Sequence, residues 1–276
     1  MQHGENIRVA PPDEGEATTK VEGRYLYCVA DSGEKVSLGP IGINGHEVYT
    51  VPYKDVCAVV HDCPAEPYQS SHGEVVKAWM IAHQRVVDKA WEKWGTVLPL
   101  GFDTIIRDQG GSDPPESVEA WLAADHESLK RKMEAVRGKA EYGVQVSWQP
   151  RVIARHIAET SAEIGRLEED IKSKSRGLAY MYRQRLENAL KRELEAKADQ
   201  CFRDFYSRIK KHVCDLRVEK TKGTDDDRQM IMNLSCLVDG DKSTDLGEEL
   251  EGIDKMEGFS VRFTGPWPPY SFVGAS

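Results

Sequence analysis

The sequence predicts an α+β fold built as two domains, and three observations favour it. The chain has 276 residues, a length more typical of two domains than of one. Its first half alternates short runs of β-branched and aromatic residues with amphipathic helical stretches, in the order βββ-α-β-α-β. Its second half begins with a long helical pattern and continues as strand, helix and strand.

The first strands are short and closely spaced. GRYLYCVA (23–30), EVYTVPY (47–53) and VCAVVHDCP (56–64) are rich in β-branched and aromatic residues, which favour strands. The turn residues of LGPIGINGHE (38–47) separate the first two of these runs. We therefore expect the first domain to open as a small antiparallel meander.

A helix and a strand come next. Between residues 73 and 95, apolar side chains recur at steps of three and four, which is the pattern of one helix face. Gly95 is typical of the residue that ends such a helix. TVLPLGFDTII (96–106) returns to strand composition, and its Pro99 indicates an edge position or a bulge.

A second helix (113–139) and a strand, AEYGVQVSWQP (140–150), complete the first half. Without its extra strand, this order of elements approximates the split βαβ arrangement of a ferredoxin-like α+β domain. We place the end of that domain near residue 149, because Pro150 closes the last strand.

The second half is dominated by helical sequence from Arg151 to Leu216. Apolar residues recur there mostly at steps of four, and Gly165 and Gly177 are weak points where a helix can bend or break. This pattern predicts two helices, or one bent helix, packed as a hairpin or arm. A strand, an acidic helix and a final strand are then expected at 228–239, 241–258 and 259–273.

The expected organisation has three parts. Residues 1–20 lack the apolar segment of a secretory signal and are expected to form a short disordered tail. Residues 21–149 are expected to form the ferredoxin-like domain. Residues 150–276 are expected to form the second α+β domain, with a long helical arm and an end rich in proline and aromatic residues.

The composition excludes several classes of protein. With 46 acidic and 37 basic residues, the formal net charge is −9, which argues against nucleic acid or anionic lipid as the main partner. No run of 18 apolar residues occurs, so no membrane span is expected. The six cysteines form no CxxC pair and are expected to be reduced, mostly buried small hydrophobes of a cytoplasmic protein.

No convincing catalytic or metal motif is present. His61 lies between Cys57 and Cys63, but the spacing is unlike that of compact zinc sites, and a strand edge with buried cysteines is the favoured interpretation. His83 falls on the apolar face of its helix, which is more typical of a packed core histidine than of a ligand or base. We therefore predict no catalytic residue, no metal and no cofactor.

The segment GPWPPYSF (265–272) is the most unusual stretch of the chain. Gly265 permits a positive φ or a close backbone approach, and the prolines fix φ and remove N–H donors, so an extended edge is expected. Its rings present large apolar area at low entropic cost. Two interpretations stay open: the rings lock the chain end onto the long helices, or they form a docking surface for a partner. The prolines are Pro266, Pro268 and Pro269, and the rings are Trp267, Tyr270 and Phe272.

Several stretches together resemble one family. YLYCVA and the following GPIGINGHEVYTVPYKDVCAVVHDCP are similar to the opening of the gas vesicle accessory proteins GvpL and GvpF. AHQRVVDKAWEKWGTVLPLGFDTIIRD resembles the central block of that family, SRGLAYMYRQRLE its second-domain helix, and FTGPWPPYSFV its closing motif. The central block departs from the family pattern at Gly101 and Asp103, where a basic residue and a glycine are usual.

The resemblance implies a cytoplasmic protein, associated with gas vesicles, with an accessory role in building these gas-filled protein shells. It implies that the chain binds the small hydrophobic shell protein and other accessory proteins, as a minor component or a chaperone-like adaptor that keeps a very hydrophobic subunit soluble until assembly. The central block and the closing motif are expected to supply the partner surface. The residues concerned are Pro99, Phe102, Thr104, Gly265, Pro266, Trp267, Pro268, Pro269, Tyr270 and Phe272.

The alternative is a soluble enzyme with a site between the two domains, because clefts between domains favour binding sites. This alternative requires a set of polar residues that converge on His61 or His83 in the folded protein.

Overall fold

The computed structural model describes residues 23–107, 114–221, 223 and 227–274. This part of the chain forms two antiparallel sheets with helices packed against them, so the predicted α+β class is confirmed. The tail predicted at residues 1–20 lies outside the described residues.

The first sheet has six strands: β1 (Gly23–Ala30), β2 (Ser37–Gly39), β3 (Val48–Tyr53), β4 (Val56–Cys63), β5 (Val97–Pro99) and β6 (Ile105–Arg107). Their order is β2-β3-β4-β1-β5, and β6 also pairs with β1. The hairpin of β3 and β4 is present, but β1 pairs with β4 and not with β3, so the predicted meander of the first three runs was wrong. All eight residues of β1 are buried because the strand is central and is covered on both faces.

Helices α1 (Gly73–Trp94) and α2 (Pro114–Val136) cover opposite faces of this sheet. Successive strand residues point to opposite faces, so Tyr25 packs with the α1 side and Leu26 with the α2 side. Gly95 ends α1 as predicted, with a φ of 71° and its N–H donating to the Trp91 carbonyl at 2.7 Å.

The second sheet contains β7 (Lys139–Trp148), β8 (Asp215–Val218), β9 (Gln229–Asp239) and β10 (Phe259–Trp267). Its order is β10-β7-β9-β8, and all neighbours are antiparallel. Counted within the sheet, the order is fourth, first, third and second strand, which is the split βαβ arrangement of a ferredoxin-like fold. The arrangement predicted for the first domain is therefore found in the second sheet.

The membership of β7 explains this difference. This strand was predicted to close the first sheet, but it pairs with β9 and β10. The edge of β1 that a closing strand would use is already occupied, since Cys28–Ala30 pairs with β5 and Gly23–Tyr25 pairs with β6. The domain bounds 21–149 and 150–276 stay a prediction, and β7 belongs with the second sheet.

Helices α3 (Pro150–Thr160), α4 (Ala162–Ser173) and α5 (Arg176–Ile209) lead from β7 to β8, and α6 (Ser243–Asp254) joins β9 to β10. Helix α4 packs along α5 as a hairpin, one of the two predicted arrangements, but the segment forms three helices where two, or one bent helix, were predicted. The breaks fall at Ser161 and Lys174 and not at Gly165 or Gly177. Ser161 interrupts the helix because its Oγ accepts the Ile164 N–H at 3.4 Å and caps α4.

Two predictions from composition concern cysteines and membranes. The six cysteines are free, and five of them are buried as expected, while Cys214 is exposed. Burial raises the pKa of the Cys57 thiol to about 12, which keeps it protonated and unreactive. None of the helices in the described part of the chain is both long and apolar enough to cross a lipid bilayer.

A carboxyl-terminal strap as candidate functional site

The last described residues form a strap, defined here as Gly265–Val273, that runs from the second sheet to the first. It begins inside β10, which is an edge strand whose pairing with β7 shifts register between Thr264 and Trp267. One helical turn, α7 (Tyr270–Val273), ends the strap and packs against β5. The predicted extended edge is thus present, and the helical turn after it was not predicted.

Gly265 gives the strap its course. Its φ is 125°, a conformation that side chains rarely adopt, and a Cβ there would lie 2.8 Å from both the Glu141 carbonyl oxygen and Tyr142 Cδ1. Both the backbone angle and the close approach to β7 therefore require glycine. The register shift that follows turns Pro268 and Pro269 into the interior, where both are buried.

A buried carboxylate anchors the strap to β7. Glu141 is only 9% exposed, and its carboxylate accepts the Ser271 N–H at 2.8 Å and the Ser271 hydroxyl at 2.6 Å. Ser271 Oγ also lies 3.0 Å from Ser235 Oγ on β9. Burying a carboxylate is unfavourable unless it is hydrogen-bonded, so these contacts hold α7 in one position.

The rings of α7 pack on the first sheet. Tyr270 contacts the cluster on the α1 side, and Phe272 contacts the cluster on the α2 side, where Val273 is buried. The Arg217 guanidinium lies 5.5 Å from the centre of the Phe272 ring. The predicted packing onto the long helices was wrong, because the apolar face of α5 is already covered by α4 and the second sheet.

The other half of the predicted surface stays open to solvent. Trp267 is 45% exposed and Phe263, further back on β10, is 37% exposed. Gly265 and Pro266 between them are exposed as well. The closing motif therefore divides into a buried anchor and an exposed aromatic edge, and the docking surface stays a prediction for the exposed half.

The central block lies next to the strap. Pro99 is buried in β5, where it pairs with Cys28, while Phe102 and Thr104 are half-buried. Because α7 packs against β5, the structure brings together the two segments that were predicted to act jointly. Pro99 itself presents no surface to a partner.

A hydrogen-bonded network of histidines and tyrosines, which was not predicted from the sequence, supports the central block. His83 Nε2 lies 3.2 Å from the Leu100 carbonyl, which can only accept, so Nε2 carries the proton. His83 Nδ1 then accepts from the Tyr25 hydroxyl at 2.9 Å, and that hydroxyl accepts the Asp103 N–H at 3.0 Å. The chain of bonds joins α1, β1 and the turn after β5, and it confirms His83 as a packed core residue.

A second histidine completes the network. His61 Nδ1 lies 2.8 Å from the Tyr27 hydroxyl and His61 Nε2 lies 2.9 Å from the Tyr68 hydroxyl. Burial lowers the pKa of His61 to about 3 and that of His83 to about 4, so both are neutral at physiological pH. Within the described residues, no group of three potential ligands could hold a metal ion.

The sequence did contain a signal for this network. Tyr25 and Tyr27 alternate along β1 and therefore point to the same face, and Tyr25 lies directly opposite His61 on β4. The rings of Tyr25 and His61 stack with centroids 5.0 Å apart. The contact between Tyr25 and His83 could not be predicted in this way, because His83 lies on α1 and reaches Tyr25 only when the helix packs on the sheet.

The fold and the strap define a class: an α+β protein of two antiparallel sheets, tied together by its carboxyl-terminal segment and presenting an aromatic edge strand. Comparison with known proteins identifies the family. The model of the family "Gas vesicle synthesis protein GvpL/GvpF" matches residues 23–274. The chain belongs to this family of gas vesicle accessory proteins, as the resemblance indicated.

Individual relatives agree with the family match. Gas vesicle protein L1 of Halobacterium salinarum is 32% identical over 275 residues, covering 95% of this chain and 96% of the relative. Gas vesicle protein L2 of the same organism is 30% identical over 261 residues, covering 91% of each. The crystal structure of gas vesicle protein GvpF from Anabaena has the same fold, with a TM-score of 0.74 at 18% identity, covering 92% of this chain and 99% of that one.

Proposed function

We propose that this chain is a cytoplasmic adaptor in gas vesicle assembly, which binds the hydrophobic shell subunit and other accessory proteins and catalyses no reaction. Membership in the gas vesicle family supports a role in gas vesicle assembly. The observation that carries the binding role is the exposed aromatic edge formed by Phe263 and Trp267. These two rings are exposed although β10 pairs with β7 and the strap after it is anchored to Glu141. Exposed aromatic side chains on a rigid strand are typical contact residues in protein interfaces.

The free edge of β10 limits where a partner can bind. The Phe259 N–H donates to the Met256 carbonyl at 3.1 Å, and the Val261 N–H donates to Asp254 Oδ1 at 2.7 Å. These bonds block the start of the edge against pairing with another strand. A partner segment is therefore expected to contact residues 262–267, where Trp267 lies.

The enzyme alternative has less support. It required polar residues that converge on His61 or His83, and such residues do converge there. Both ring nitrogens of each histidine already have partners, however, and both side chains are buried. A substrate could reach neither without opening the core, so we propose no catalytic residue and no cofactor.

The test is deletion of the gene in its host, with gas vesicles scored by electron microscopy. We expect deletion to abolish vesicles and the unaltered gene to restore them. A double variant, Phe263→Ala with Trp267→Ala, is expected to fold and yet fail to restore them. The control is Met80→Ala with Ile81→Ala on α1, two residues that are also exposed, and it is expected to restore vesicles.

Direct binding is tested by co-purification with the shell subunit. We expect the unaltered chain to retain the subunit and the Phe263→Ala, Trp267→Ala variant to lose it. Normal vesicles in the deletion strain would contradict the assembly role. Equal retention by both proteins would contradict the aromatic edge as the contact surface.

A further inference from the structure

The turn end of the α4–α5 hairpin carries a charge opposite to that of the whole chain. Residues 171–185, here called the basic tip, contain five Lys and Arg and no Asp or Glu, whereas the chain has 46 acidic and 37 basic residues. All five cations are exposed. Among the described residues, Lys174 alone of the five has an ion pair, with Nζ 3.6 Å from Asp170 Oδ1. The cations are Lys172, Lys174, Arg176, Arg183 and Arg185.

The basic tip also exposes large apolar side chains. Leu178 is 49% exposed, Tyr180 is 64% exposed and Met181 is 54% exposed. They lie in the first turns of α5, between Arg176 and Arg183. Further along α5, the apolar residues pack against the second sheet and its other helices, so this start of the helix is the part left uncovered.

From these two observations we propose that the basic tip binds an acidic amphipathic helix of a partner protein, laid along the start of α5. Arginine guanidinium groups match carboxylates in two parallel hydrogen bonds, which gives an acidic partner its orientation. Leu178 and Met181 are three residues apart and form a ridge of the kind that packs into the groove of another helix. The mode of recognition is that of an amphipathic helix held by apolar anchors with charged flanks.

The side chains favour a protein partner over nucleic acid or membrane. Two of the three exposed apolar residues, Leu178 and Met181, are aliphatic, whereas single-stranded nucleic acid is bound by stacking on aromatic rings. Helices that lie in a membrane surface bury a long apolar face, but the exposed apolar residues here span about one turn. An apolar ridge of this length fits the side chains of one partner helix.

A peptide probe tests the proposal without any gas vesicle component, so its result is independent of the adaptor role. The probe is a labelled peptide of about 20 residues, roughly 30 Å of helix, with Leu at helical spacing and Glu elsewhere. The control peptide has the same sequence with Lys in place of every Glu. Fluorescence anisotropy is expected to show binding of the Glu peptide alone, and binding is expected to weaken as NaCl rises from about 50 to about 500 mM.

Two charge-reversal variants on the same helix provide the matched comparison. Arg176→Glu with Arg183→Glu is expected to weaken binding of the Glu peptide about tenfold or more, because attraction becomes repulsion. Lys191→Glu with Arg203→Glu changes the net charge equally at exposed positions outside the basic tip, and it is expected to leave affinity within about twofold. Circular dichroism confirms that both variants are folded.

The apolar part of the proposal is tested separately. Leu178→Ser with Met181→Ser keeps every charge and is expected to weaken binding of the Glu peptide about tenfold, since the apolar anchors are lost. The proposal is overturned if the Glu peptide does not bind, or if both charge variants lose affinity equally. It is also overturned if single-stranded DNA or phosphatidylglycerol vesicles bind the basic tip more tightly than the Glu peptide does.

Discussion

His83 and His61 show how single residues set the conditions under which this protein is stable. Burial keeps each ring neutral in the core, tyrosine hydroxyls are its hydrogen-bond partners, and His83 also donates to the backbone of the central block. A buried histidine that is neutral in the native state resists protonation, whereas the same histidine in the unfolded chain binds a proton readily below its ordinary pKa. Stability must therefore depend on pH over the range in which unfolded histidine titrates.

The direction of this dependence follows from the lowered pKa values. Below pH 6.5 the unfolded chain binds protons that native His61 and His83, with pKa values of about 3 and about 4, do not bind. The free energy of unfolding should fall as pH drops from about 6.5 to about 4, with a slope that approaches about 1.4 kcal/mol per pH unit for each histidine near pH 5. Carboxylates such as Asp55, whose pKa is lowered to about 2, contribute mainly below this range.

Replacing one histidine should halve this slope. We expect His83→Gln to reduce the pH dependence near pH 5 from about two protons to about one, measured by urea unfolding at several pH values. His72→Gln, at an exposed position, is the control and should leave the slope unchanged. An unchanged slope in His83→Gln would mean that His83 is protonated in the native state.

Gly265 is a second single residue on which stability is expected to depend. Gly265→Ala should lower the free energy of unfolding by about 2 kcal/mol or more, since the φ of 125° and the contacts at 2.8 Å both oppose a Cβ. Gly247→Ala is the matched control, because it lies inside α6 with no heavy atom within 4 Å of the added Cβ. The control should raise stability by about 0.5–1 kcal/mol. Equal effects of both changes would contradict the role assigned to Gly265.

At the scale of elements, the strap is the feature that the structure adds to the two sheets. Helix α7 has only four residues, too few to be stable alone, so its position depends on Glu141 and on the rings that it buries. Its opening should therefore be local and measurable without unfolding the sheets.

Ser271→Ala tests the anchor of α7. It removes the hydroxyl bond to Glu141 but keeps the bond from the Ser271 N–H. We expect amide hydrogen exchange in residues 268–273 to rise about tenfold, corresponding to a loss of about 1–2 kcal/mol for a bond to a buried charge. Ser207→Ala, an exposed position on α5, should leave exchange unchanged. Equal protection in Ser271→Ala would show that the hydroxyl bond to Glu141 is not needed to hold the strap.

At the scale of the whole molecule, we propose that the two sheets are two domains that the strap couples. Val273 is buried with residues of the first sheet, and Leu237 of β9 belongs to the same cluster. Both connections join the second sheet to the core of the first. Coupled domains unfold in one transition, and domains that lose their coupling unfold separately.

Calorimetry can detect this coupling. We expect the unaltered protein to unfold in one transition, and Tyr270→Ser with Phe272→Ser to unfold in two, since the rings that reach the first sheet are lost. Trp267→Ala removes an exposed ring of the same strap and should retain the single transition. A single transition in the double variant would mean that other contacts couple the sheets.

Local structure in this protein could be read from sequence. The strand at 23–30, the helix ending before Gly95 and the proline-bearing edge at Pro99 all matched, because side-chain periodicity and turn residues act over a few neighbours. The family could also be recognised from sequence, because its motifs are short and local. The three-residue strand β2 and the four-residue strand β8 were missed, since they are too short to show a pattern.

Only the tertiary structure decided which sheet β7 joins, where the strap packs and which side chains contact His61 and His83. A strand's own sequence does not state its neighbours, and the edge of β1 was already filled by β5 and β6. The rings of α7 went to the first sheet because α5 was covered, and Tyr25 reached His83 across 58 positions in sequence. Such outcomes depend on which of several distant segments occupies a given surface. The periodicity of side chains within one segment does not predict this, because it reflects only neighbouring residues.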